Sequence, residues 1–176
     1  RSGFPTDLIV YLNPPRDWDA MGNYWTDRLR SGLKYLTSTA TNAEGNLNNV
    51  FQNNNGFDTQ NGVLVTSDVA QGIINHSGTS YINWMFRRAP SFFDEVCYTG
   101  TGTAQTIYHN LGVVPEMMIF KTRTGAARNW GVYTATTGVG KKLWLNATNA
   151  VQNDSFFVPS TPTATVLNQE IGRAHV

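Results

Sequence analysis

Short apolar runs, each cut off by turn residues, set the rhythm of this chain. Asp7-Leu8-Ile9-Val10-Tyr11-Leu12 is stopped by Asn13-Pro14-Pro15, and Met117-Met118-Ile119-Phe120 follows Pro115 and ends before Thr124-Gly125. Runs this brief, with such terminators, predict buried strands rather than helices. Residues 81–86 alternate around Asn83 after a Ser77-Gly78 turn signal, and 92–98, 105–108, 129–133 and 142–145 predict further strands. Thr99-Gly100-Thr101-Gly102 and Gly138-Val139-Gly140 separate them. One stretch conflicts with this pattern. Trp18, Met21, Trp25, Leu29, Leu33 and Leu36 recur three or four apart, which is helical spacing. Gly22 and Gly32 inside it weigh against a helix, so two strands are expected, near 24–27 and 33–38. A single helical turn is expected at 43–51, where Leu47, Val50 and Phe51 share a face, with Asn53-Asn54-Asn55-Gly56 turning after it. The fold class that follows is mainly β, an antiparallel β-sandwich of jelly-roll type.

The pattern also repeats. Gly3-Phe4-Pro5, then Asp7 and an apolar run, matches Gly112-Val113-Val114-Pro115, then Glu116 and an apolar run. Trp25 corresponds to Trp130, Lys34-Tyr35-Leu36 to Lys142-Leu143-Trp144-Leu145, and Ala40-Thr41-Asn42-Ala43 recurs intact at Ala147-Thr148-Asn149-Ala150. Two tandem related units are expected, each incomplete. Residues 1–90 form the first, lacking its opening strands, and 91–169 the second, lacking its closing strands. The segment 170–176, with Ile171-Gly172-Arg173-Ala174-His175-Val176, matches the translation of a common sequencing adapter and is expected to be non-native; the alternative is a natural polar tail. Unfinished units leave unpaired edges that need partner strands, so the isolated chain is expected to aggregate.

Composition agrees with the periodicity. The 176 residues include 18 Asn, 21 Thr and 16 Gly but only four Glu, a mixture that disfavours helix and suits strands and tight turns. Charged residues make up 14%, below the roughly 25% typical of soluble domains, so uncharged polar groups must supply much of the surface. A net charge of +1, with scattered Lys and Arg, leaves no basic face for nucleic acid. No apolar run approaches the roughly 20 residues of a membrane helix, so membrane insertion is not expected. The single Cys97 excludes an internal disulfide framework and any Cys-rich zinc site.

Candidate chemistry is sparse. Gly138-Val139-Gly140-Lys141-Lys142 resembles a phosphate loop, but Ala135 stands at the earlier Gly and Lys142 at the Ser/Thr that binds magnesium. Gly100-Thr101-Gly102 lacks the third Gly of a dinucleotide fingerprint, with Gln105 in its place. Asp17-Trp18-Asp19 opens like a calcium loop, yet Met21 occupies a ligand position and Arg28 the place of the bidentate Glu. His76 and His109 belong to no metal-ligand pair. Neighbouring Asp94 and Glu95 on a strand would point to opposite faces, and Cys97 in such a strand is expected to be a small buried hydrophobe. No catalytic, metal-binding or cofactor-binding residue is expected, and no cofactor. His109 is expected to satisfy turn backbone groups just before Leu111-Gly112, where Gly112 permits positive φ and Pro115 fixes entry to the next strand. Five Trp and seven Tyr beside many Asn admit a sugar-binding surface. Trp84 and Trp130 lie in strand patterns and are assigned to the core, leaving Trp18 as the ligand-contact candidate.

Several segments in order resemble a β-rich domain family of tailed-phage virion proteins of the tail-fibre kind. They are Phe93-Asp94-Glu95-Val96-Cys97-Tyr98-Thr99-Gly100, the stretch from His109-Asn110-Leu111-Gly112 through Pro115 to Lys121, Asn129-Trp130, and Leu145-Asn146. The run from Asn75-His76 to Met85-Phe86 is similar to the closing strands of one such unit. The resemblance covers nearly the whole chain and implies a non-enzymatic virion structural protein in a phage tail, serving assembly or host attachment. Its implied partners are other virion and tail proteins or further copies of itself, with a host surface glycan as an additional candidate. The alternative is a carbohydrate-binding, lectin-like β-sandwich module. A hydrolase appended to a virion lacks any supporting carboxylate or nucleophile pattern.

Overall fold

The computed structural model describes residues 4–12, 23–30, 34–46, 80 and 82–169, and among these every regular element is a strand. The protein is mainly β. It divides into two compact units, Arg1–Arg87 and Arg88–Val176.

In the first unit, β1 (Leu8–Leu12), β2 (Tyr24–Asp27), β3 (Lys34–Thr37), β4 (Gly45–Asn46) and β5 (Ile82–Phe86) form one sheet in the order β4-β3-β2-β1-β5. β1 is flanked on both sides, and its continuous apolar run is buried from Leu8 to Tyr11, as expected of a strand covered on both faces. Tyr24, Thr26 and Asp27 of β2 are fully buried beside it.

The second unit holds two sheets. β7 (Met117–Phe120), β8 (Gly131–Thr134), β9 (Lys141–Trp144) and β10 (Gln152–Asn153) form a meander in the order β10-β9-β8-β7. β6 (Gln105–Tyr108) pairs antiparallel with β11 (Val166–Gln169) across more than half of the unit. The meander's core is Tyr133, Phe157 and Val158, with Met118 and Phe120 packed against it, while Met117, pointing the other way along β7, is exposed.

The two meanders share more than their order. Tyr24 pairs with Thr37 and Trp25 with Leu36; Gly131 pairs with Trp144 and Val132 with Leu143. Lys34 opposite Asn46 becomes Lys141 opposite Asn153. The Ser38 N–H donates to the Asn23 carbonyl at 3.2 Å, and in the corresponding place the Leu145 N–H donates to Trp130 O at 3.0 Å. By these ladders the counterpart of Trp25 is Val132 rather than Trp130, which stands where the first unit has Asn23. Even the turn after the second strand corresponds. Asp27 caps the Arg30 N–H at 2.8 Å, and the Thr134 hydroxyl caps the Thr137 N–H at 3.1 Å.

The same hole is filled differently in each sheet. The strand position held by the buried ring of Tyr24 is Gly131 in β8, and there the ring of Phe157 lies so close that a Cβ on Gly131 would sit 2.7 Å from it. An aromatic from a loop thus replaces an aromatic from the strand.

Three further expectations need correction. Residues 92–98 do not form a strand; only a bridge between Ala89 and Phe93 occurs there, and Cys97 is exposed rather than buried. Trp84 is 52% exposed, because β5 is an edge strand among the described residues and its Ile82 and Trp84 share the outward face. At 43–51, Ala43 and Glu44 are not helical and Gly45–Asn46 is β4, while 47–51 lies outside the described residues.

Candidate functional site

Two arrangements in the second unit bring polar groups together. The first surrounds the turn after β6. His109 is buried, its backbone N–H donates to Thr165 O at 2.9 Å, its Nε2 lies 3.2 Å from Thr163 O, and the Leu111 N–H donates to its Nδ1 at 3.4 Å. One neutral tautomer, with the proton on Nε2, serves both contacts. Gly112 follows with φ +71, in open space, and Pro115 is buried at the approach to β7. Gly112→Ala is expected to cost about 1 kcal/mol through backbone strain alone, seen as a lower denaturant midpoint with an unchanged slope.

Asp94 clamps this turn from the preceding segment. One carboxylate oxygen accepts from Arg88 Nε at 2.7 Å and the other from the Asn110 N–H at 2.8 Å, while the Ser91 N–H donates to Leu111 O at 2.6 Å. Burial alone would raise the Asp94 pKa, but the Asn110 N–H and the Arg88 guanidinium outweigh it and hold the carboxyl below its usual range. A lowered folded pKa contributes stability that is present above the unfolded value, about 3.9, and is lost as pH falls through the folded one. The wild-type melting temperature should therefore fall across that acid window. Asp94→Asn should begin lower at neutral pH and lose less on acidification; parallel acid profiles for the two proteins would remove Asp94 as the titrating group.

The second arrangement lies on the β6–β11 ribbon. Cross-strand pairing sets Ile107 against Leu167 and Gln105 against Gln169 on one face, and Thr106 against Asn168 and Tyr108 against Val166 on the other. Ile107, Leu167 and Gln169 are buried; Tyr108 is 73% exposed. On the outer face Thr106 Oγ1 donates to Asn168 Oδ1 at 3.1 Å, and Asn168 Nδ2 donates to Ser160 Oγ at 3.2 Å. A cleft of about 290 Å³ opens here, walled by Gln105, Thr106, Ser160, Asn168 and Gln169 with Ala104 and Pro159. Gln169, on the inner face, has its Nε2 buried without a hydrogen-bond partner among the described residues. Just before the cleft wall, Val158 holds φ 50, a strained conformation for a β-branched residue.

Elsewhere, lysines are engaged. Lys142 Nζ donates to Asp154 Oδ2 at 2.6 Å and lies 4.5 Å from the Trp144 ring centroid, tied into the meander after the Gly138–Gly140 turn. Lys121 Nζ donates to Arg128 O at 2.7 Å, and burial lowers its pKa to about 8. Among the described residues no three His, Cys, Asp or Glu side chains gather as metal ligands. Trp18 and His76, and the segment 170–176, lie outside the described residues. Sequence reasoning singled out His109, Leu111, Gly112 and Pro115, which the fold brings together. It missed Asp94 as their clamp and the whole Thr106–Asn168–Ser160 chain, whose members are joined only by a long-range strand pairing.

A family model described as a domain of unknown function (DUF7483) matches residues 3–175. The chain belongs to this family. The DUF7483 match runs through both units, so the clamped turn and the β6–β11 cleft both lie within it. No curated protein matches the chain, and no solved structure matches it.

Proposed function

We propose that this chain is a non-enzymatic structural protein of a phage virion, a tail-fibre segment whose two tandem β-sandwich units of jelly-roll type serve assembly or host attachment. The observation that carries the reading is the meander that recurs with one strand order and one set of pairings in both units. Repetition of one sheet module along a chain suits a structural role, in which the packing of each copy is what recurs. The exposed outer face of β5 and the edge position of β7 among the described residues provide surfaces for other tail proteins or for further copies of the chain. Genes beside the coding sequence test the setting: tail genes on both sides are expected, and a metabolic operon would overturn it. Self-association is tested by sedimentation, where oligomers that grow with concentration are expected and a monodisperse monomer counts against assembly through strand edges.

A second reading, a carbohydrate-binding module of the lectin-like sandwich type, is favoured by one observation. The β6–β11 cleft is walled by amides and hydroxyls with no charged group among them.

A further inference from the structure

We infer that the β6–β11 cleft is a binding site for the hydroxyl groups of a neutral pyranose within a glycan, with Thr106, Ser160 and Asn168 as its polar contacts and Tyr108 as its stacking surface. The inference rests on the carbohydrate-binding reading and gives it a place, a ligand class and a set of residues.

The chemistry of the wall selects the ligand. Gln105, Thr106, Ser160, Asn168 and Gln169 offer amides and hydroxyls, and Ala104 and Pro159 are apolar. Nothing there would compensate a phosphate, a carboxylate or an ammonium taken out of water, so a charged ligand would be bound at a loss. A neutral polyol, which both donates and accepts at every hydroxyl, matches such a wall. The volume of about 290 Å³ lies just below the roughly 300–1,000 Å³ typical of small-molecule sites, so the cleft has room for a single sugar ring of the glycan.

The polar chain is already oriented. Thr106 Oγ1 donates to Asn168 Oδ1, and Asn168 Nδ2 donates to Ser160 Oγ, so the amide is fixed between two hydroxyls. That direction leaves the Thr106 oxygen as an acceptor at one end and the Ser160 O–H as a donor at the other, with one Asn168 N–H between them. Adjacent hydroxyls of a sugar, each able to give one hydrogen bond and take another, are complementary to that sequence. Holding the groups in place beforehand reduces the ordering cost of binding. The strand pairing of Thr106 with Asn168 fixes two of them. Val158, strained at φ 50, and Pro159 deliver Ser160 to the third position.

One further observation points outward to a ligand. Tyr108, two residues along from Thr106 and on the same face, leaves its ring 73% exposed beside Val166. An aromatic ring next to oriented amides offers both an apolar surface for the C–H face of a sugar and polar groups for its rim.

The test uses the full chain, labelled with 15N, titrated with the methyl glycosides of glucose, mannose and galactose and with N-acetylglucosamine, together with an array of neutral and sialylated glycans. A neutral sugar is expected to shift the side-chain amide resonances of Asn168 and the backbone amide resonances of Thr106 and Tyr108, and sialylation at the bound residue to weaken binding. Thr106→Val and Tyr108→Ala, each with an unaltered melting curve, are expected to weaken the same ligand about tenfold or more; Asn168→Ala should abolish the ligand-induced shifts of the Thr106 and Tyr108 backbone amides. Binding that survives all three substitutions would overturn this site while leaving the carbohydrate-binding reading standing. No binding by any sugar or array glycan would overturn both, and would assign the cleft to solvent.

Discussion

Phe157→Ala is expected to destabilise the second unit by about 3–5 kcal/mol, the range for removing a fully buried aromatic ring. Phe157 has no exposed surface, packs edge-on to Phe120 at a centroid distance of 5.2 Å, and covers Gly131. Its removal opens a cavity whose floor is backbone, since Gly131 has no side chain with which to refill it. The reverse change is also costly. Gly131→Ala places a methyl 2.7 Å from the ring, and forcing the ring aside should cost about 1–3 kcal/mol. The two effects are coupled. In the Phe157→Ala background the added methyl meets no ring and fills part of the void, so the double substitution should be less destabilising than the sum. Denaturant unfolding followed by tryptophan fluorescence, to which buried Trp130 contributes, measures all three variants, and strict additivity would refute the packing of ring on glycine.

Arg30→Met should cost the first unit a comparable 3–5 kcal/mol, for a different reason. Asp27 is fully buried, and Arg30 Nε is its charged partner, with Arg30 Nη2 also donating to Trp25 O at 3.1 Å. Removal of the guanidinium leaves a carboxylate in the interior with, among the described residues, only the Arg30 backbone N–H to stabilise it. The second unit supplies the remedy. At the corresponding turn, Thr134 and Thr137 join hydroxyl to hydroxyl at 3.1 Å and cap the same N–H, with no charge to desolvate. Asp27→Thr combined with Arg30→Thr is therefore expected to recover most of what Arg30→Met loses. A double variant no more stable than Arg30→Met would mean that the ion pair contributes more than a cap.

The sequence was most readable where a strand's own residues decide its fate. Leu8 to Leu12 and Met117 to Phe120 are short apolar runs between turn residues, and both are strands. The glycines and polar residues between Trp18 and Leu36 pointed away from a helix, and β2 and β3 lie where strands were expected. It was least readable where a side chain serves a distant segment. Residues 92–98 have the composition of a strand, but Asp94 is committed to Arg88 and the Asn110 N–H, and the backbone follows that clamp instead of a ladder. β11 went unseen because Val166-Leu167-Asn168-Gln169 is half polar and gains its identity only from β6, far away in the chain. Trp25 and Trp130 were matched by identity, whereas hydrogen-bond register places Trp25 against Val132. Of the site residues, the turn motif was visible as a Gly and a Pro at fixed offsets. The cleft was invisible, because no local pattern announces a Thr, a Ser and an Asn that meet across a ribbon.

The exchange of a strand tyrosine for a glycine under a loop phenylalanine bears on how neighbouring modules avoid confusion during synthesis. Related sequences on one polypeptide risk trading segments before either has closed. If β2 were to take the place of β8, the Tyr24 ring would be driven into the space that Phe157 occupies; if β8 took the place of β2, Gly131 would bring no side chain to the space that the Tyr24 ring fills. Each module thus rejects the other's middle strand by shape, although the hydrogen-bonding pattern would accept it.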